Sequence, residues 1–202
     1  MKVMASVYAS LPAPTVGLAS TLHLGLGGGT LPMLLGEPCV AIELDGDVVD
    51  MAIQHCGLDP ELVNIIRGED ALRHDSLVPG PYSCVFVDVF GDDNNVPPAF
   101  VHDDFVSSIH DALTKGGLVI SNFHRGSAQE NLRLADAKRV YANAFGSYIE
   151  IPSRFQGNTI LCARKGGLED YVSVDLDKAS HFGKKKGWAF DPLSRLQKWK
   201  VY

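Results

Sequence analysis

The chain has 202 residues, 46% of them hydrophobic and 21% charged, which fits one globular domain with a sizeable core followed by a tail. Its net charge of −6 is uneven, because residues 178–202 hold seven Lys or Arg against Asp191 alone, leaving −12 on the first 177. An acidic body argues against general nucleic-acid binding by the domain face, and no apolar run reaches the length of a membrane span. Cys39, Cys56, Cys84 and Cys162 include no CxxC pair and no His at ligand spacing, so they read as buried thiols of a reducing compartment.

The first residues, Lys2 followed by a small and apolar run, predict a helical lead-in packed on the sheet rather than a signal peptide, since a core strand starts at about Thr21. No arginine precedes Arg67, which argues against a transit peptide; the expected location is intracellular and cytoplasmic, with an organelle left open. Apolar runs rich in β-branched residues then alternate with helical periodicity, the pattern of a doubly wound, mostly parallel sheet. Strands are predicted at 21–25, 39–43, 62–67, 84–88 and 117–122, with a closing pair at 147–151 and 158–163. Val48, Val49, Met51, Ala52, His55 and Cys56 mark a helix that Gly57 ends. A polar loop from Gly91 to Pro98 precedes a helix from about Asp103 with Phe105, Val106, Ile109, Ala112 and Leu113 inward, ended by Gly116-Gly117. Ser127 and Glu130 form a capping box for a helix through about Phe145. In the tail, Trp188, Phe190, Leu193, Leu196, Trp199 and Tyr202 predict one face of a short helix beginning near Asp191-Pro192, packed on its own domain.

The chemistry concentrates after the first strand. Residues 22–32 read LHLGLGGGTLP, so Gly25, Gly27 and Gly29 permit a turn through positive φ and close approach of a ligand to backbone amides. The second apolar run ends in Ile42-Glu43-Leu44-Asp45, which sets a carboxylate at a strand tip to face ribose hydroxyls. A dinucleotide fingerprint wants a small residue at position 30, where this chain has Thr30, so the GxGxG spacing favours S-adenosylmethionine or a relative over NAD.

These segments, with Val85-Phe86-Val87-Asp88 and Leu113-Thr114-Lys115-Gly116-Gly117-Leu118-Val119-Ile120-Ser121-Asn122, resemble in order and spacing the spermidine synthase-like branch of the class I S-adenosylmethionine-dependent methyltransferases. The resemblance implies a Rossmann-like α/β domain over residues 1–165, with a mostly parallel seven-stranded sheet, an antiparallel last strand and helices on both faces. Residues 166–202 then form a basic, aromatic extension. It also implies that Gly25, Gly27 and Gly29 form the cofactor turn, that Glu43 binds ribose, and that Asp88 orients and deprotonates an attacking amine. The adenine-contacting acid falls at Gly68-Glu69-Asp70-Ala71, with Asp70 the preferred candidate over Glu69.

The chain departs from spermidine synthases in having its first strand almost at its start and in replacing their Asp-Ser-Ser-Asp motif with Asp88-Val89-Phe90-Gly91-Asp92. Three functions follow. The first is a methyltransferase acting on an amine, such as a protein lysine or terminus. The second is a methyltransferase-like subunit of a larger assembly with little activity, and the third an aminopropyltransferase using decarboxylated S-adenosylmethionine. Expected partners are the amine or protein acceptor, a protein or RNA met by the basic tail, and a second copy in a homodimer, with no membrane. His124 is a candidate base, His23 reads as a core residue and His110 as helical. No metal is expected, because Ser121-Asn122 stands where metal-dependent O-methyltransferases carry an Asp-Asn pair.

Overall fold

The computed structural model describes residues 1–11, 21–73, 80–153, 157–168, 175–192, 194, 196 and 200–202. In chain order the elements are α1 (Lys2–Ser10), β1 (Thr21–Leu24), α2 (Thr30–Leu35), β2 (Cys39–Glu43), α3 (Gly46–His55), β3 (Val63–Arg67), β4 (Tyr82–Val87), a 3-10 turn (Pro98–Val101), α4 (Asp103–Ala112), β5 (Leu113–His124), α5 (Ala128–Phe145), β6 (Tyr148–Pro152), β7 (Asn158–Arg164), α6 (Leu176–Lys185) and β8 (Lys200–Val201). The strands form one sheet in the order β3-β2-β1-β4-β5-β7-β6-β8. Neighbours from β3 to β5 are parallel, whereas β7 runs antiparallel to β5 and β6. The seven expected strands are present with the antiparallel seventh, and β8 adds an eighth that pairs antiparallel to β6.

Both faces of the sheet are covered, which is why β4 is buried at every position rather than alternating in polarity. Along it, Cys84 and Phe86 join the core under α1, α2 and α6, while Val85 and Val87 join the core under α4 and α5. A smaller cluster of Leu26, Ala41, Val49, Ala52, Leu58 and Val63 packs α3 near the β2–β3 edge.

The lead-in helix α1 is buried along most of its length, its Ser6 and Ser10 hydroxyls donating to the carbonyls of Lys2 and Val7 within the helix. Against it lies α6, which hydropathy alone did not reveal; Asp175 caps it by accepting from the Lys178 amide, and Ala179 is fully buried. Lys178 Nζ donates to the Leu11 carbonyl at 3.0 Å, and the Tyr8 ring lies between Phe86, tilted 60° to it, and Phe182, which meets it edge-on. Trp188 Nε1 donates to the Leu34 carbonyl at 2.6 Å, Phe190 stacks on the Trp188 ring, and Leu196 is buried, so these members of the aromatic stripe pack on their own domain as expected, while Leu193 and Trp199 lie outside the described residues. Most of the helix expected near Asp191-Pro192 falls on Leu193, Arg195 and residues 197–199, outside the described residues; within it Ser194 lies in a 3-10 turn and its hydroxyl donates to the Asp191 carbonyl at 2.7 Å.

Two further expectations are corrected. The helix after the acidic loop stops at Ala112 instead of running to Gly116-Gly117, because those glycines belong to β5, where the pairing register with β4 shifts. Cys56 is exposed rather than buried, since it falls at the solvent end of α3, whereas Cys39, Cys84 and Cys162 are buried.

Candidate functional site

The tip of β1 is gripped from both sides. Gly25 N donates to the Ile42 carbonyl at 3.0 Å and Asp88 N to the Leu24 carbonyl at 2.9 Å. Gly25 has φ +85°, and a Cβ there would lie 2.5 Å from the Asp88 carbonyl oxygen, so the tips of β1 and β4 meet this closely only because the residue is glycine. Gly29, at φ +70°, starts α2, and a Cβ on it would lie 2.7 Å from Leu58 Cδ1. Gly27 differs: at φ +52° it has no atom within 4 Å of where a Cβ would sit. Two of the three glycines therefore serve packing, and the middle one borders open space. Helix α2 has six residues, as short as the Thr30–Cys39 connection implied.

Glu43 lies directly under this turn. Its Oε2 accepts from Leu26 N at 2.9 Å and Gly27 N at 3.3 Å, and its Oε1 accepts from Asp45 N at 3.1 Å. An ionised carboxylate accepts about four hydrogen bonds, so Oε1 retains capacity for a hydroxyl beyond the one it holds. Next to it Leu44 is 64% exposed, a large apolar side chain at a strand tip that sequence reasoning did not single out. At the end of β3, Asp70 Oδ1 accepts from Leu72 N at 2.9 Å, an Asx turn, while Glu69 pairs with Arg73 four residues on.

On the other side of the β1 tip, Asp88 Oδ1 accepts from Asn122 Nδ2 at 2.9 Å, and Asn122 Oδ1 accepts from Asn158 Nδ2 at 2.9 Å. Burial raises the Asp88 carboxyl pKa, opposed by the Asn122 hydrogen bond, the Met1 amino group and His124. His124 stacks on Phe90 with ring centroids 4.4 Å apart, and its Nδ1 donates to the Asn94 carbonyl at 2.8 Å, tying the 91–98 loop to the end of β5. That bond leaves Nε2 of a neutral imidazole as the acceptor nitrogen. Phe90, Asn122 and Asn158 are additions to the residues found by sequence. The missed signal is that Asn122 and Asn158 end runs of alternating apolar positions, Leu118–Ile120 and Cys162–Ile160, as Asp88 ends Cys84–Phe86.

The remaining candidates have structural settings. His23 is 2% exposed, hydrogen-bonded to Thr21 and stacked on Phe86, and burial pushes its pKa down to about 3. His110 lies on α4 against Phe145. Asp45, in the Asp-Gly-Asp sequence, caps α3 by accepting from Asp47 N at 2.8 Å. Among the described residues no group of three or more His, Cys, Asp or Glu could hold a metal ion, and no helix is long and apolar enough to cross a membrane.

The strand order, parallel but for the antiparallel β7 and its neighbours, is that of the Rossmann-like class I methyltransferase fold. The chain is similar in structure to human methyltransferase-like protein 13 in complex with SAH, with TM-score 0.70 and 22% identity over 98% of this chain and 91% of that one. It is also similar to a spermidine synthase in complex with the transition-state analogue AdoDATO, with TM-score 0.73 and 16% identity over 98% of this chain and 71% of that one. In sequence it is 27% identical over 205 residues to the eEF1A lysine and N-terminal methyltransferase of Xenopus laevis, covering 92% of this chain and 29% of the relative. To the Homo sapiens protein of the same name it is 32% identical over 142 residues, covering 60% and 20%. The chain thus spans less than a third of the length of these curated relatives. No protein-family profile matches it.

Proposed function

We propose that this domain transfers a methyl group from S-adenosylmethionine to an amine of a protein acceptor. The observation that carries this reading is the Glu43 carboxylate bonded to the amides of Leu26 and Gly27, with open space above Gly27 and the half-buried Asp88 beside the same strand tip. The relatives named as eEF1A lysine and N-terminal methyltransferases supply the acceptor class, a protein amine.

The donor set suits an adenosyl group. Glu43 offers an oxygen to the ribose, Leu44 an apolar shelf to the purine face, and Asp70 its carboxylate to the adenine edge. Gly25 and Gly29 hold the turn in shape, and Gly27 keeps the space over it clear. S-adenosylmethionine supplies, when bound, a methyl group on a sulfonium that an uncharged nitrogen can attack in line. Most of the acceleration then comes from orientation and exclusion of water. An ammonium acceptor must first lose a proton, and Asp88, with a raised pKa, is the better placed to take it or to hold the nitrogen by hydrogen bond. The Phe90–His124 stack walls the acceptor side and is braced by the Asn94 carbonyl.

Isothermal calorimetry tests this directly. Binding of S-adenosylmethionine in preference to its decarboxylated form supports methyl transfer, the reverse preference supports aminopropyl transfer, and binding of neither favours a methyltransferase-like subunit without activity. Gly27→Val and Glu43→Ala are expected to abolish binding, whereas Asp88→Asn keeps affinity and lowers turnover on a protein acceptor by about 100-fold or more, the contribution of a general base. Unchanged turnover in Asp88→Asn overturns its assigned role.

A further inference from the structure

Three rows of side chains on the α1 face of the sheet change from apolar to polar toward one edge, Asp88 and Asn122 at one level and Asn158 one step further on, opposite His124. Cys84 and Phe86 lead to Asp88, Leu118 and Ile120 lead to Asn122, and Cys162 and Ile160 lead to Asn158. Alternation puts every second residue of a strand on one face, so these three polar ends are neighbours across β4, β5 and β7. Asn122 is only 6% exposed, and a buried primary amide is costly unless its groups are paired. Here it is paired at both ends.

The pairing has a direction. An ionised carboxylate only accepts, so Asn122 must present Nδ2 to Asp88 and Oδ1 to the other side, where Asn158 Nδ2 donates. Turning the Asn122 amide over would set oxygen against oxygen at Asp88 and nitrogen against nitrogen at Asn158. Asn158 is itself held by backbone, since its carbonyl accepts from Ser153 N at 2.8 Å and the preceding Gly157 carbonyl accepts from Arg125 N at 2.7 Å. The chain of bonds thus runs from a fixed strand start, through a buried amide, to one oxygen of the acid. Among the described residues, Asp88 Oδ2 takes no hydrogen bond and remains for the acceptor nitrogen.

We propose that Asn122 and Asn158 are positioning residues, a polarised relay in which Asn158 sets the orientation of the Asn122 amide and Asn122 in turn holds Asp88 with Oδ1 occupied and Oδ2 turned to the amine. The consequence for catalysis rests on the methyl-transfer reading above, whereas the relay itself is a property of the protein without ligand. Charged or titratable groups that act on Asp88 from the elements around it are the Met1 amino group beside α1 and His124 at the end of β5. His124 is also the cross-strand partner of Asn158, so an effect carried by the relay is told from a direct charge effect by whether it survives the loss of Asn122.

The test is Asn158→Asp, nearly identical in shape but an acceptor where the relay needs a donor. Carboxyl 13C NMR of the ligand-free protein, with the Asp88 resonance assigned by its loss in Asp88→Asn, is expected to show the Asp88 titration displaced upward by about one pH unit, the equivalent of losing one charge-assisted hydrogen bond. Combining Asn158→Asp with Asn122→Ala is expected to remove most of the additional displacement, as a double-mutant cycle requires of coupled groups. In turnover assays the acid limb of the kcat profile moves upward with the titration, while KM for S-adenosylmethionine is unchanged. An Asp88 titration unmoved by Asn158→Asp, or moved equally without Asn122, overturns the relay. A displaced titration in a protein whose wild type shows no methyl transfer keeps the relay and overturns the methyl-transfer reading instead.

Discussion

His23 occupies a place in β1 where a positive charge has no partner. Its ring lies against Phe86, one of its nitrogens is bonded to Thr21, and burial lowers its pKa to about 3 from an ordinary 6.5. Because the unfolded chain takes up this proton first, stability conferred by the neutral ring is complete above about pH 6.5 and declines as pH falls toward 3. The slope approaches about 1.4 kcal/mol per pH unit within that window. Urea unfolding between pH 7 and pH 5 is expected to show it, and His23→Gln, which cannot take up a proton, to flatten it. The histidine was legible as a core residue from its place in an apolar strand. Glu43 and Asp88 were legible for the opposite reason, as charges where apolar runs end.

At the scale of elements, the best-read boundaries were those written in short-range chemistry. Ser127 accepts from Glu130 N at 3.2 Å and the Glu130 carboxylate accepts from Ser127 N at 2.7 Å, the capping box expected for α5. Ser127→Ala is expected to cost about 1 kcal/mol and to lower the melting temperature by about 2–4 °C, measurable by scanning calorimetry. The strand β2 was also read correctly because Pro38 and the polar tip at Glu43 to Asp45 bound it. Boundaries that depend on distant partners were not legible. Gly116-Gly117 looks like a helix stop, yet β5 begins at Leu113 because its pairing with β4 outweighs the local punctuation. Helix α6 has a capping Asp175, but only Ala179 and Gly183 are buried on it, and its place is set by α1, more than 160 residues earlier in sequence. Asn122 was noted only as a strand-end residue, and its pairing with Asp88 and Asn158 was not legible, since those partners lie 34 and 36 residues away.

For the molecule as a whole, the C-terminal stretch completes the face on which α1 and α2 lie. Lys178 reaches the end of α1, Trp188 and Lys186 reach the end of α2, and the Tyr202 ring stacks on Tyr148 where β8 meets β6. Basic residues of this extension are thus partly engaged with internal carbonyls, while Lys184 and Lys185 remain exposed. Deleting the chain after Gly166 is expected to uncover the apolar cluster of Met4, Leu31 and Leu35, giving aggregation or a melting temperature lowered by well over 5 °C, in a thermal-shift assay. A truncated protein that melts like the full chain would instead mark the stretch as dispensable to the core.

The missing side chain at position 25 has a last implication. Since backbone of the β1 turn rests on the carbonyl of Asp88, whatever is grasped by the turn and whatever is grasped by the acid are separated by a single layer of main chain. Under the proposed methyl transfer, donor and acceptor sites are mechanically joined: a bulkier residue at 25 would press on the Asp88 backbone, and a shift of that backbone would press back on the turn.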